Sequence, residues 1–519
     1  MTSTRLLFRS VLTASLAATA LLVSVAAAPP SGGEFRLSVV DQQTGKPLAC
    51  RIHLANPRGL PQKAPRQPFL KDHFVFDGSV TLALREGNYR FVAECGPEYQ
   101  TRVGHFTVNR FASDQKTISM RRFVDMAKEG WWSGDMYVNR DLRQLELLMR
   151  AEDLHVAQQL TSLNAAQRRR RDPQDGAALV ALDDSRFYGP RASRDVRAGG
   201  GLCYFPLAEV PPLLAGEEPR EAEAASAIQL ARQLRASGEV WIEADTTGAW
   251  DLPVWIAHDL LDSVRLADQR FGRQRFFPEK MGQRPPEGAI YEGPRGAGRW
   301  AEHVYYQLLN CGFRIPPTAG SGSGDVPNPP GHNRVYVYCG EYFSYAKWWE
   351  ALRAGRVVVT NGPLLRPSVE GHPPGHVFRT DAGTVRRLQI DLQLATKDKI
   401  EYLELIQNGE LAATVRLEDD AGREGRLPFL EFDASGWFLV RAVTEAAGTY
   451  RFATSGPYYV EIGPAPRCSR RAAEFFQAWV AQRQAQITKM GKAAPRGAIE
   501  EQRRAEAFWS QRVEMANAD

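Results

Sequence analysis

Glu243 and Asp245 lie two residues apart in Gly238-Glu-Val-Trp-Ile-Glu-Ala-Asp245, a stretch whose apolar, β-favouring content predicts a strand. Side chains two apart on a strand leave the same face, so the two carboxylates can be presented together. Asp251 follows shortly after, and Asp325 lies in the glycine-rich run Gly320-Ser-Gly-Ser-Gly-Asp325. Carboxylates fixed around a divalent cation bring the pKa of a bound water towards neutrality and make it a nucleophile. The same spacing recurs at Tyr137 and Asn139 within Gly130-Trp-Trp-Ser-Gly-Asp-Met-Tyr-Val-Asn139. There the side chains are aromatic and amide. Together with Trp131, Trp132, Trp241 and Trp250 they offer surfaces that suit sugar faces and hydroxyls. Each group has a plainer use as well. Tryptophans fill cores, and Glu243 with Asp245 can pair with arginines such as Arg265 or Arg334. His155 opens a predicted strand, while His258 and His303 fall on predicted helices, so structural roles suit all three better than ligation. A Ser-His-Asp hydrolase has no support, because the sequence lacks a G-x-S-x-G elbow.

The elements that must position these residues alternate between short apolar strands and helices over 123–375, the pattern of an α/β domain. A helix is expected over 142–150 and a strand over 154–160. A helix over 218–235 precedes the Glu243 strand. Residues 250–258 turn into a helix, and 262–267 are strand-like. Residues 271–299, rich in Gly, Pro and Arg, read as a long loop. A helix is expected over 303–310, a strand just after Cys311 in Gly312-Phe-Arg-Ile-Pro316, a strand over 334–338, a helix over 345–354 stopped by Gly355, and a last strand over 357–363. The basic run around Arg168 to Arg171 reads as an exposed loop. Before this domain, 34–122 alternates with regular turns and predicts a β-sandwich. His53, His73 and His105 lie there, scattered singly on strands, and read as structural or exposed. A second sandwich-like module spans 376–463, with Asn408-Gly409 as a hairpin turn. Residues 464–519 are helical, with Phe475, Phe476, Trp479 and Val480 at helical spacing, and are expected to pack back on the body.

The chain of 519 residues is too long for one core, so several domains are expected. A net charge of +5 is small for that length and gives no reason to expect nucleic acid as a partner. Arg5 and Arg9, the apolar run from Val11 to Val25 and Ala26-Ala27-Ala28 form a secretory signal over 1–28. Export to a periplasm, cell envelope or extracellular space follows, with no later membrane span expected after cleavage. The six cysteines then meet an oxidising space, yet none form a CxxC pair. Cys50 and Cys95 fall in one β module; they could pair or remain buried thiols.

Several stretches resemble the PHP superfamily in its exported CehA/McbA-like metallohydrolase branch. They are "WWSGDMYVNRDLRQLELLMRAEDLHVAQQLTSLN", "AWDLPVWIAHDLLDSVRLAD", "YYQLLNCGFRIPPTAGSGSG", "GHNRVYVYCGEYFSYAKWWEALRAGRVVVTNGPLLRPSVEG" and "IEYLELIQNGEL". The segment "VVDQQTGKPLACRIHL … LREGNYRFVAECGPEY" resembles the carboxypeptidase regulatory-like or transthyretin-like sandwich. The resemblance implies a multidomain α/β-plus-β chain: a distorted seven-stranded β/α barrel flanked by two β-sandwich modules, with C-terminal helices. It also implies divalent metals at the barrel mouth and hydrolysis of ester-like bonds. The ligand motifs, however, are altered. Where the family reads Gly-Asp-Leu-His-x-His, this chain has Gly134-Asp135-Met136-Tyr137-Val138-Asn139. Where it reads Thr-Asp-His-Asn, this chain has Thr161-Ser162-Leu163-Asn164, and Gly320 to Asp325 replaces Gly-Ser-Asp-x-His.

The expectation that follows is an exported PHP-like protein without ordinary metal chemistry and with no cofactor. It would bind a small molecule, carbohydrate or anion at the barrel mouth through Trp131, Asp135, Tyr137, Asn139, Trp250, Asp251 and Arg334. The alternative is a metal-dependent hydrolase with a reduced site, in which Asn139, Glu243, Asp245 and Asp325 hold Zn, Mn or Fe. A third reading is a structural or assembly protein of the cell envelope.

Overall fold

In the computed structural model, residues 32–110, 113–162, 179–206, 226–278, 281–415 and 423–519 are described. The expected signal segment, the Arg168–Arg171 run, the first part of the 218–235 helix and Leu163-Asn164 lie outside them.

The chain is a mixed α/β, multidomain molecule with several sheets and C-terminal helices. Its N-terminal module has a three-stranded and a five-stranded sheet. Strict alternation puts Val80, Leu82 and Leu84 of the Ser79–Arg85 strand inwards, against Phe35, Phe76 and Phe91. Cys50 lies on the Ala49–Ala55 strand and Cys95 just past the end of its partner Gly87–Glu94, close enough for their thiols to hydrogen-bond, and all six cysteines are buried thiols. A thiol–thiol hydrogen bond with Cys50, added to burial, holds Cys95 well above the ordinary thiol range.

The centre is one 16-stranded sheet. From one edge it runs Pro317–Ala319, Ser263–Ala267, Trp241–Ala244, Gly200–Phe205, Arg186–Arg197, Val156–Ser162 and Trp131–Val138. It continues through Arg334–Tyr338 and Val357–Thr360 into Phe452–Ser455, Gly436–Thr444 and Ile400–Gln407. The expected second sandwich therefore shares backbone hydrogen bonds with the α/β part, and Val358 pairs Ser455. The two also share a core, in which Trp131, Tyr336 and Val358 pack with Phe438 and Tyr458.

The Trp131–Val138 strand is buried on both faces, which explains its nearly continuous apolar and small residues. Gly134 is required there, because a Cβ would lie 2.2 Å from the indole of Trp348. Just beyond the strand, Gly322 N donates to Tyr137 O at 2.9 Å and Asn139 N to Ser323 O at 2.7 Å. These bonds tie the loop after Pro317–Ala319 to the far member of the seven-strand series.

Two expectations need correction. The Gly-Pro-Arg-rich region does not stay a loop to residue 299: a helix runs Gly293–Asn310. Its buried face, with Trp300, Val304, Tyr305 and Leu308, outweighs the poor helix propensity of its glycines, and a proline is tolerated in the first turn. The expected strand just after Cys311 forms instead as Pro317–Ala319. The helices Arg470–Met490 and Ala498–Glu514 pack on one another and on the Leu252–Ala257 helix, burying Phe476, Trp479 and Trp509.

Candidate functional site

A cavity of about 480 Å3 opens at the C-terminal ends of the Trp131–Val138, Val156–Ser162 and Arg186–Arg197 strands. Tyr137, Asn139, Thr161, Arg194, Arg270 and Asp325 are among its walls, with Gln269 and Phe277. The i, i+2 placement of Tyr137 and Asn139 brings both to one carboxylate. The Tyr137 hydroxyl donates to Asp325 Oδ2 at 2.5 Å, and Asn139 Nδ2 donates to Asp325 Oδ1 at 2.9 Å. Burial pushes the Tyr137 phenol up, opposed by Arg194 and reinforced by Asp325. It stays protonated and serves as a donor, not as a phenolate ligand for a hard cation. The guanidinium carbons of Arg194 and Arg265 each lie 5.2 Å from its ring centroid.

Glu243 and Asp245 lie beneath this cavity, each held by an arginine. Glu243 is fully buried, and its Oε1 accepts from Arg265 Nη2 at 2.5 Å. Its Oε2 accepts from Ser263 Oγ at 3.0 Å and Thr318 Oγ1 at 2.5 Å. Burial disfavours a charged Arg265, yet the Glu243 carboxylate holds its pKa above the ordinary value. Asp245 Oδ2 accepts from Arg194 Nε at 2.9 Å and Nη2 at 2.5 Å. Asp245 Oδ1 is buried with no hydrogen-bond partner among the described residues.

Asp135 is also internal. Its carboxylate accepts backbone N–H groups of Tyr137 and Ser321 at 2.9 Å and of Gly331 at 2.7 Å, pinning the strand to two loops. Trp131 is buried on the far side of the sheet, 5.2 Å from the Tyr338 ring. The Trp250 carbonyl accepts from Trp479 Nε1, and Asp251 pairs with Arg483 at 2.6 Å, so both dock the C-terminal helices. Arg334 donates to the carbonyls of Gly331 and Glu152 and lines a different cavity. Of the residues expected at the mouth, the structure thus brings Tyr137, Asn139 and Asp325 together. It places Trp131, Asp135, Trp250, Asp251 and Arg334 elsewhere. Arg194 and Arg270 were not singled out from sequence. Arg194 lies on a strand of mixed polar composition with no clear alternation.

The histidines follow burial more than ligation. His155 Nδ1 bonds Ser133 Oγ at 2.9 Å, and His258 is held between Arg232 and the Glu501 carbonyl. His53 and His73, expected to stand singly, meet around Asp72, with ligand atoms within 4.8 Å of one another.

No family model matches the sequence, and no curated protein matches it. Among solved structures, a β-glucuronidase of Bacteroides uniformis aligns at 9% identity over 84% of this chain and 61% of that chain, with a TM-score of 0.15. A chain from Bacteroides fragilis designated a β-galactosidase aligns at 11% identity over 82% of this chain and 70% of that one, with a TM-score of 0.13. This chain thus spans about three fifths of the glucuronidase's length, and likenesses of that size carry no argument about fold or function.

Proposed function

We propose that this chain is an exported PHP-like protein whose seven-strand series is a distorted β/α barrel, with a mouth that binds a small carbohydrate or anion rather than catalytic metals. The hydrogen bonds from Gly322 N to Tyr137 O and from Asn139 N to Ser323 O, which join the ends of the series, support the barrel reading. One observation carries the ligand reading: two of the three acids expected to hold metal, Glu243 and Asp245, are neutralised by guanidinium groups. Arg265 pairs with Glu243 and Arg194 pairs with Asp245. A divalent cation bound by these acids would meet two fixed positive charges, so the donor set does not fit a hydrolytic metal. The mouth presents hydroxyl, amide and guanidinium donors beside the aromatic faces of Tyr137 and Phe277, groups that suit sugar hydroxyls or a carboxylate.

The test is metal content and ligand response of the full chain. Purified protein should carry substoichiometric Zn, Mn and Fe. In a thermal-shift panel of neutral sugars and uronic acids, at least one should stabilise it. That response should be lost in Asn139→Ala and Arg270→Gln. Stoichiometric metal that disappears in Glu243→Ala/Asp245→Ala would overturn the reading in favour of a reduced-site hydrolase. No response to any sugar or acid would favour a structural role.

A further inference from the structure

A second cavity, of about 250 Å3, lies where the N-terminal module, the central sheet and the later β-strands meet. Arg51, Arg273, Arg334, Lys397 and Arg451 line it, against the acids Glu94, Glu152 and Asp398. The walls therefore carry two more positive charges than negative ones. The acids are already engaged. Glu94 accepts from Arg51 Nη2 and Arg273 Nη2, both at 2.8 Å; Glu152 accepts from Arg51 Nη1 at 2.5 Å; Asp398 accepts from Arg451 Nη1 at 2.8 Å. The charge surplus is partly buried, and a buried surplus is costly until an anion offsets it.

The local chemistry points the same way. Lys397 Nζ donates to the Gly96 carbonyl at 2.9 Å and faces no carboxylate at bonding distance among the described residues. Lys397 stands exposed at the rim, and its pKa is lowered to about 8, first by desolvation from the surrounding wall, with Glu94, Glu152 and Asp398 opposing the shift and Arg51 adding to it. His332 is driven well below the ordinary imidazole range by burial and then by the guanidinium groups of Arg451, Arg273, Arg51 and Arg334. Its Nε2 and the Nε of Arg451 are buried without a hydrogen-bond partner. Two glycines keep the walls open. At Gly331, φ is +70° and a Cβ would lie 2.7 Å from Arg334 Nη2; at Gly362 a Cβ would lie 2.7 Å from Arg451 Cγ.

We propose that this junction cavity binds a compact dianionic oxyanion, a phosphate or sulfate group, held by Lys397, Arg451 and the neighbouring arginines. A divalent cation at the adjacent His53, Asp72 and His73 group is disfavoured by the same field. Arg273 Nη1 already meets His53 Nε2 at 3.2 Å, and Asp72 already bridges both imidazoles. Because residues from three parts of the chain contribute, the bound anion ties them together and stabilises only the folded state.

The experiment is calorimetric titration of the full chain with inorganic phosphate and, separately, with sulfate, against chloride at equal ionic strength. Saturable one-to-one binding is expected, together with a rise in melting temperature. Preference for phosphate or for sulfate identifies which oxyanion the site takes. Lys397→Gln should weaken binding about tenfold or more, while Arg270→Gln at the barrel mouth should leave it unchanged. Affinity should also fall as pH rises through about 8, where Lys397 loses its proton. If Lys397→Gln does not fold, wild-type protein provides the readout: saturating phosphate should protect Lys397 from amine acetylation, followed by mass spectrometry. No binding beyond the chloride control, unaltered affinity in folded Lys397→Gln, or unprotected Lys397 would each overturn the proposal. A sugar response at the mouth with no anion binding here would overturn this site and leave the mouth reading standing.

Discussion

At Glu243 a buried carboxylate finds its positive partner in a guanidinium, and the consequence is measurable. Both groups are fully buried, so removing one partner strands a charge in a poorly solvating interior. Arg265→Met should destabilise the fold by about 3–5 kcal/mol. The double variant Glu243→Gln/Arg265→Met, which removes both charges, should recover a large part of that loss. Urea unfolding of the singles and the double measures the coupling; a double variant as unstable as the sum of its singles would show that the pair is not a unit. The sequence reading reached part of this site. That positions 137 and 139 offer a phenol and an amide is visible in the residue types, and Arg265 is named there as a partner for the Glu243–Asp245 pair. Arg194 is not, because it lies 51 residues before Asp245 and only strand pairing brings them together. Arg334 shares the residue type but reaches backbone carbonyls on another side of the sheet.

Among the elements, the C-terminal helices show where periodicity is a reliable guide. Phe476 and Trp479 fall on one face of the Arg470–Met490 helix, and that face is the one buried. Trp509 of the following helix is fully buried, packs at a tilt against Phe476 with centroids 4.7 Å apart, and donates Nε1–H to the Pro253 carbonyl at 2.9 Å. Trp509→Ala should therefore cost about 3–5 kcal/mol in chemical unfolding. A loss below 1 kcal/mol, about that of a surface substitution, would mean that the helix pair is not part of the cooperative core. The Gly293–Asn310 helix marks the limit of this kind of reading. Its first turns carry Gly293, Pro294, Gly296 and Gly298, which argue for a loop, and only packing makes them helical. Gly298 is needed in the helix, because a Cβ there would lie 2.0 Å from the Tyr450 ring. The continuity of the sheet across Val358 and Ser455 was equally hidden, since alternation reveals a strand but not its neighbour.

Across the whole molecule, acid sensitivity follows from histidines held neutral. Burial lowers the pKa of His73 and His155 to about 4, and it also lowers His258, His303 and His332. In the unfolded chain these imidazoles titrate near the ordinary value of about 6.5. Between pH 6.5 and about 4 the unfolded chain therefore binds protons that the folded chain refuses, and stability falls as pH drops through that window. For His73 and His155 the loss can approach about 3 kcal/mol each by the lower end. Glu98 works in the opposite direction. Burial first, then Asp153, raises its pKa to about 7, so the folded state gains a proton below that pH and is relatively favoured down to the ordinary carboxyl value. Asp135, Glu152, Glu302 and Glu501 are also raised by burial and act with Glu98; Asp72, Glu94 and Asp153 are lowered and act with the imidazoles, so the net slope should follow the histidines. Because the α/β part and the later β-strands share a sheet and a core, their loss should appear as one cooperative transition. The expected outcome is a melting temperature that falls steadily from pH 6.5 to 4.5, with proton uptake on unfolding at pH 5. In His155→Gln, which can still hydrogen-bond Ser133, the slope should be shallower. A melting temperature that stays level or rises over that range would show that Glu98 and its neighbours, rather than the histidines, govern the acid response.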